Sequence, residues 1–466
     1  MKVLLLSPPY LPGYMRNARC DFVSLSATQW FPLWLGYCGS LLEKSGHHIK
    51  LIDAPSYGLS HKKTKELFLD YKPDLLVVYT GQKSEKNDID FIDDLLFEYS
   101  CPAVFVGPYF SIAPENTLAK SKRVKYGVYG EFEYPVLELL QGRDVKEIKN
   151  LLIKENDCIK INNKRPNLST EELDNIPFVS EFFSRHLDFK YYSAPSEYHP
   201  FIDLMTGRGC VWGLCTYCLW VHSFIKGGTY NIRSIDTVMD EFKFIEKYMP
   251  HVRSVMIQDD TFPDERAREF SKAKLKAGVK IPWSCYARGN LNFETLKLMK
   301  KANCRNLHVG FESADNQILK KIKKGVTKTR MTKFAEDAHR AGLRIHGDFA
   351  IGFPGESRES IEKTVQWACE IRPHTAQFQL MIPFPGTPFY EELKRNNCLL
   401  NNAPHFPGLS REEMENMAKK AYRRFYISFR FIWQVMKHPY DLFFSRIKTY
   451  KHAIASVFWK KWDTRE

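Results

Sequence analysis

Apolar residues in the first 140 positions fall into short runs, separated by stretches with helical spacing. "KVLLLSPP" predicts a buried strand, and "FPLWLGYCGSLLEKSG" a helix with Pro32 in its first turn and Gly46 closing it. "HIKLIDA", "DLLVVYT", "PAVFVGP" and "YGVYGE" predict further strands, and "DFIDDLLFEY" and "EYPVLELLQG" predict helices between them. Such alternation implies a parallel sheet with helices on both faces, a doubly wound, Rossmann-like domain over residues 1–142. Pro, Gly and Ser gather at the strand ends in "SPPY", "VGPYFS" and "YGEFE", where ligands of doubly wound sheets bind.

Residues 143–199 break this pattern. They are polar, with a hairpin-like piece around Asn162 and Asn163 and a candidate capping box in "STEE", and they read as a linker. A second alternation starts near residue 200. Strands "FIDLM", "VRSVMIQDD", "PWSCYAR", "NLHVGFES", "RIHGDFAIGF" and "QFQLMIPF" are separated by helices such as "DTVMDEFKFIEKYM" and "SIEKTVQWACEI". Six strand–helix steps fall short of the roughly 250 residues of a closed eight-fold barrel, so residues 200–395 predict a partial (β/α)6 barrel. Residues 396–466 form a C-terminal helical region. Its tail opens on the capping box "SREE" and is basic and aromatic, which suits packing on the barrel, contact with a membrane surface or a cap over an apolar entrance.

Composition adds little to the fold and something to partners. The 466 residues are 44% hydrophobic and 26% charged, ordinary values for a globular chain, with a formal net charge of +14 that favours acidic partners. No recognised nucleic-acid module accompanies that charge. The apolar run after Met1 is stopped by Pro8 and Pro9, unlike a secretory signal, and no stretch approaches the roughly 20 apolar residues of a membrane span. The expected location is the cytoplasm. Eleven cysteines in a reducing compartment predict core thiols or metal ligands, with Cys20, Cys101, Cys158 and Cys369 among the core.

Three cysteines stand apart. In "RGCVWGLCTYCLW", Cys210, Cys215 and Cys218 share one loop after the first barrel strand, with Gly207, Gly209 and Gly213 around them. Thiolates hold zinc or iron–sulfur clusters. His222 could complete a zinc knuckle. Alternatively, three cysteines on a four-iron cluster leave one iron open for substrate or cofactor. Glycines would let the backbone wrap a bulky cluster, and the carboxyl end of a barrel strand is where barrel active sites lie.

The triplet on the first loop of a six-unit barrel resembles the radical SAM superfamily. Here the spacing is C-x4-C-x2-C, one residue longer than the usual CxxxCxxC. The resemblance implies a [4Fe-4S] cluster on Cys210, Cys215 and Cys218, with S-adenosylmethionine on the open iron. Reductive cleavage there gives a 5′-deoxyadenosyl radical. It also implies Tyr217 against the adenine, Asp259 and Asp260 at the SAM amino group, and Arg288 at its carboxylate. Glu312 and Ser313 would hold ribose or methionine atoms. Gly352, in "AIGFPGE", would lie against the adenine, and "PFPGTP" ends the sixth strand.

A doubly wound domain ahead of such a barrel is similar to the cobalamin-dependent class of the superfamily. That likeness implies cobalamin contacts from Gly107, Ser111, Thr117, Gly130 and Glu131. The Asp-x-His-x-x-Gly motif is absent, so no histidine from the first loop is expected below the cobalt. "CLW" and "GGTYNIRS" are similar to members acting on polyisoprenoid lipids. The implied activity is methylation of an unactivated carbon of a metabolite or lipid, with flavodoxin or ferredoxin as electron donor. By its composition the tail suits a peripheral membrane contact, and nucleic acid is not an expected partner. Cyclisation, coupling or rearrangement without methyl transfer is one alternative, and a zinc-stapled binding protein the other.

Overall fold

In the computed structural model of the chain, residues 1–437 are described, apart from 18, 19, 25–27, 157, 195, 226 and 402. The first strand, β1 (Lys2–Ser7), splits its four apolar residues between two cores. Val3 and Leu5 join one, Leu4 and Leu6 the other, and all four are fully buried. A continuous apolar run is what a parallel strand covered on both faces requires. A hairpin of β2 (Tyr14–Asn17) and β3 (Cys20–Val23) follows, then α1 (Leu33–Lys44) and β4 (His48–Asp53). Next come α2 (His61–Tyr71), β5 (Leu75–Tyr79), α3 (Glu85–Glu98), β6 (Ala103–Val106), α4 (Pro114–Lys120), β7 (Tyr126–Val128) and α5 (Glu133–Leu140).

These strands pair in the order β4-β1-β5-β6-β7, all parallel, with two more strands, β8 (Leu151–Glu155) and β9 (Cys158–Ile161), added antiparallel. The strand order reverses between β1 and β5, which places a ligand crevice at their carboxyl ends. Two expectations are corrected here. Residues 151–161, read as linker, extend the sheet: Leu151, Leu152 and Ile153 are buried, but their polar flanks hide the strand in the sequence. Helix α2 was not legible because it buries only Thr64 and Phe68.

The segment between sheet and barrel holds α6 (Thr170–Asn175), whose Ser169–Glu172 capping box forms as expected, and α7 (Val179–His186). The second unit runs β10 (Phe201–Leu204), β11 (Gly207–Gly209), β12 (Tyr230–Ile232), α8 (Ile235–Tyr248), β13 (Ser254–Ile257), α9 (Asp264–Ala277), β14 (Trp283–Ala287) and α10 (Phe293–Lys301). It continues through β15 (Cys304–Glu312), α11 (Asn316–Lys321), α12 (Lys328–Arg340), β16 (Arg344–Ile351), α13 (Arg358–Ile371) and β17 (Thr375–Leu380). Six strands pair in parallel as β10-β13-β14-β15-β16-β17, and among the described residues β17 does not close onto β10. This is the partial barrel the sequence predicts, with a small β11–β12 hairpin that it does not.

After the last strand come α14 (Pro388–Arg395), β18 (Leu399–Leu400), β19 (Ala403–Pro404), α15 (Arg411–Tyr426) and α16 (Phe429–Lys437). Helix α15 starts on the expected Ser410–Glu413 capping box and lies on the free edge of β17. There the Tyr426 hydroxyl accepts from the Ala376 N–H (2.9 Å) and donates to its carbonyl (2.7 Å), occupying backbone groups that an open edge would expose. Helix α16 exposes Phe429, Ile432 and Met436, and the rest of the tail lies outside the described residues. No described helix is long and apolar enough to cross a membrane.

Buried bonds join the two units. Arg208 on β11 reaches Glu131 (2.8 Å) and Glu133 (2.7 Å), and Asp203 accepts from the Phe31 N–H at 3.0 Å. The expectation of core cysteines is half right. Cys38, Cys285 and Cys304 are buried, whereas Cys101 and Cys369 are half-buried and Cys158 is exposed.

Candidate functional site

The loop after β10 and β11 carries Cys210, Cys215 and Cys218, all half-buried and unpaired. Burial, then repulsion from Cys215, pushes the Cys218 thiol up to about 12. Burial also raises Cys215, with Lys324 and Arg288 opposing it. Two neighbouring thiols that resist ionisation would be stabilised as thiolates by a shared cationic centre. Among the described residues, no group of three or more His, Cys, Asp and Glu side chains is gathered to hold a single metal ion. His222, the candidate fourth zinc ligand, has its Nε2 at 3.0 Å from the Cys215 carbonyl oxygen. The donor set fits a wider cluster held by three cysteines better than a four-ligand zinc knuckle.

The glycines also serve a purpose within the loop's own packing. A Cβ on Gly209 (φ +93°) would lie 2.2 Å from the Thr229 carbonyl oxygen, and one on Gly213 (φ +62°) 2.4 Å from the backbone of Gly227 and Gly228. They let the loop pack against the β12 hairpin arm, which braces it from behind.

Around this loop, the candidate SAM residues fall into two groups. Asp259 is buried and saturated: it accepts from the Thr206 N–H (2.6 Å), the Thr206 hydroxyl (2.6 Å) and the Tyr230 hydroxyl (2.6 Å). Asp260 is half-exposed and accepts from the Gly209 N–H at 2.9 Å, beside the cysteine loop. The two aspartates therefore do not form the paired site their adjacency suggests. Tyr217 donates to Glu312 Oε1 (2.9 Å), which Lys324 Nζ also reaches at 2.9 Å. Glu312 sits in the left-handed region (φ +62°), an unusual backbone for this residue type that places its carboxylate at the end of β15. Ser313 is buried, accepting from the Asp315 N–H at 3.2 Å. Arg288 donates to the Lys324 carbonyl (2.5 Å) and lies 4.7 Å from the centre of the Trp212 ring. Gly352 (φ +108°) donates to Glu356 Oε2 at 2.6 Å, and Tyr217 lies 5.1 Å from the Phe353 ring.

Lys324, Trp212 and Arg208 were missed from sequence. Lys324 stands in the run "KKIKKG", which reads as a solvated face, yet it is buried against Glu312. The signal was Gly325 (φ +71°), whose missing side chain admits the Trp212 ring.

The rim faces the doubly wound sheet. Trp220, just past the cysteines, stacks on Trp34 of α1 (5.7 Å), and Gly386 after β17 approaches Ile112. Between the carboxyl ends of β1, β4 and β5 lies a narrow cleft lined by Ser7, Arg16, Trp30, Trp34, Asp53 and Tyr79. Two buried polar atoms of this lining, Trp34 Nε1 and Tyr79 OH, have no partner among the described residues, nor have Thr80 Oγ1 and Gln82 Oε1 just past the end of β5. Unsatisfied buried groups at the switch point of a doubly wound sheet fit a ligand there. Of the candidate contacts, Gly107 (φ +110°) abuts the Tyr79 ring, and Ser111 Oγ donates to the Gly107 carbonyl (2.8 Å) and accepts from the Gly130 N–H (2.9 Å). Thr117 donates instead to Glu85 (2.8 Å), and Glu131 holds Arg208 and the Leu168 N–H.

An open six-stranded barrel with three cysteines on its first loop is the layout of a radical SAM domain. Residues 204–368 match the model of the Radical SAM superfamily, so the chain carries a radical SAM domain. The chain is similar to an uncharacterized methyltransferase of Pyrococcus horikoshii, 29% identical over 92% of this chain and 93% of that one. It also resembles the cytidylyl-2-hydroxyethylphosphonate methyltransferase of Streptomyces wedmorensis, 25% identical over 84% and 82% of the two chains. In fold it resembles a radical S-adenosylmethionine methyltransferase, TsrM, from Kitasatospora setae, solved with cobalamin and a [4Fe-4S] cluster. That likeness has a TM-score of 0.66 at 18% identity, over 87% of this chain and 79% of the other.

Proposed function

We propose that this chain is a cobalamin-dependent radical SAM methyltransferase acting on an unactivated carbon. The observation that carries the reading is the juxtaposition of the three-cysteine loop with a crevice whose buried polar atoms lack partners. The orphan donors and acceptors of Trp34, Tyr79, Thr80 and Gln82 suit a ligand edged with amides, as a corrin is. When bound, the cluster supplies the electron that cleaves SAM, and cobalamin supplies the methyl group.

In this reading the protein's work is holding and shielding. Cys210, Cys215 and Cys218 hold the cluster. Asp260, half-exposed beside the loop, would meet the SAM amino group, while Asp259, buried with three donors, fixes the loop through Thr206 and Tyr230. Arg288, aimed at the rim, faces the SAM carboxylate. Lys324 orients Glu312, and Tyr217 with Gly352 walls the adenine. Gly107, Ser111 and Gly130 offer backbone and a hydroxyl to cobalamin. The aromatic wall of Trp30, Trp34 and Tyr79 keeps water from the radical path.

The test is anaerobic reconstitution with iron, sulfide and cobalamin, followed by reduction in the presence of SAM. The wild type is expected to gain the visible absorption of a four-iron cluster and to form 5′-deoxyadenosine. Cys215→Ala should lose both. Deoxyadenosine formed at wild-type rate by Cys215→Ala would overturn the reading.

A further inference from the structure

The two faces of the barrel strands differ in kind. Leu307, Val309 and Phe311 of β15, with Ile345, Phe349 and Ile351 of β16, are buried against the helices; Phe311 and Phe349 meet Trp367 of α13 at 5.5 and 6.1 Å. By strand alternation the opposite parity faces the lumen. On four successive strands it presents Tyr286, His308, His346, Asp348, Gln377 and Gln379. A closed barrel fills such positions with branched apolar layers. Here they are polar, and all but His308 are only half-buried, so the interior face is open to a ligand.

The geometry is that of a recognition surface. The His346 ring places Nδ1 at 2.7 Å from Thr375 Oγ1 and Nε2 at 3.4 Å from Asp348 Oδ1. The Asp348 side chain keeps 24% of its surface exposed. Gln377 donates to Gln379 at 3.0 Å, which leaves the Gln379 amide nitrogen facing the space. His308 closes the floor, 4.9 Å from His346, 5.1 Å from Tyr286 and 6.1 Å from Trp30. Arg344 opens β16 at the far end of the barrel. Between it and the rim, no inward position carries lysine or arginine. At the rim, Arg288 touches Lys324 and Trp212 and is the cation already assigned to the SAM carboxylate. Lys324 Nζ, beside the inward position Gly310, is paired with Glu312 at 2.9 Å, so a phosphate or carboxylate would find no unengaged cation on these four strands, and an isoprenoid would strand the polar groups of the wall without partners.

We propose that the lumen takes a hydrophilic small molecule, neutral or cationic and rich in amine or hydroxyl donors, with Asp348 and Gln379 as the side chains that read it. This rests on the barrel being the reaction chamber of a radical SAM enzyme and names its substrate class. The step is binding alone, by hydrogen bonds and charge.

Thermal melting of the full chain, reconstituted anaerobically, tests it with four probes at matched concentration: glucosamine, N-acetylglucosamine, glucuronate and farnesol. Glucosamine is expected to raise the midpoint most, and glucuronate and farnesol least. Asp348→Asn should weaken the apparent glucosamine affinity about tenfold, the size of one hydrogen bond to a charged group. Gln379→Leu should weaken it several-fold, which keeps the test decisive if Asp348→Asn melts early. Asp240→Asn, exposed on α8, should change nothing. No glucosamine shift, a larger shift with glucuronate or farnesol, or full glucosamine affinity in both lumen variants would overturn the proposal. Iron content and SAM cleavage are scored on the same sample. A chain that cleaves SAM but prefers farnesol sinks the substrate class alone; one that takes up no iron sinks the radical SAM reading.

Discussion

Two sets of polar groups, one around the barrel rim and one around the crevice opposite it, are treated in opposite ways. At the rim, Asp259 accepts three hydrogen bonds, Glu312 takes both Tyr217 and Lys324, and Arg208 is held by two glutamates. Around the crevice, Trp34, Tyr79, Thr80 and Gln82 leave buried polar atoms without partners. A saturated network preorganises a site at no cost in the empty state, whereas orphan groups cost stability until a ligand satisfies them. The difference teaches that the rim is built to hold geometry, and the crevice to gain its order from what binds there.

That contrast can be broken by mutation. The largest effect is expected at the junction of the two units: Arg208→Met leaves Glu131 and Glu133 buried and unpaired, at a cost of roughly 3–5 kcal/mol in denaturant unfolding. A loss under about 1 kcal/mol would mean that the junction is not the preorganised element described.

An intermediate case is Glu356. Its Oε2 accepts from Gly352 and Phe353, but its Oε1 has no partner, and burial pushes its carboxyl up to about 7. The folded chain therefore binds this proton more tightly than the unfolded chain. Its contribution to stability is present below the unfolded carboxylate range and is lost as pH rises from about 4.5 toward 7, by up to about 3 kcal/mol. Glu356→Gln should flatten that part of the stability–pH curve; an unchanged slope would assign it to other groups.

Asp259→Asn should destabilise the chain by roughly 1–3 kcal/mol, since an amide cannot accept all three bonds. Asp260→Asn should cost far less in stability and weaken SAM binding instead, as read by calorimetry. Equal stability losses at the two positions would erase the distinction between them.

The smallest effect is expected in the crevice. Tyr79→Phe removes a hydroxyl that has no partner, so stability without cobalamin should change by under about 0.5 kcal/mol. Cobalamin retained after gel filtration should nevertheless fall. A stability loss like that of Asp259→Asn would show that the hydroxyl is already satisfied.

Much of this was legible in the sequence where a signal is local. Apolar runs marked the parallel strands, and the cysteine spacing marked the loop. What escaped depends on tertiary placement. Residues 14–23 form a hairpin because Arg16 is drawn into a buried pair with Asp88 (2.6 Å), a partner 72 positions away. Asp259 and Asp260 are neighbours in sequence and both brace the β11–β12 hairpin, but Asp259 takes three donors and is buried while Asp260 is half-exposed at the Gly209 N–H, a difference set by contacts 29 to 53 positions away. Lys324 hid in a lysine run because its burial depends on Glu312 at the end of another element. The polar lumen was visible as alternation in "RIHGDFAI", but only the packing of Phe349 on Trp367 shows which parity faces the helices.

The central claim is that rim and crevice are loaded together, one with iron and the other with cobalt. Metal analysis of the full chain, reconstituted anaerobically with iron, sulfide and cobalamin and then freed of unbound metal, tests it directly. The account predicts about four iron atoms and one cobalt per chain, with cobalt falling in Tyr79→Phe and iron in Cys215→Ala. Zinc in place of iron, or iron with no cobalt, would contradict it.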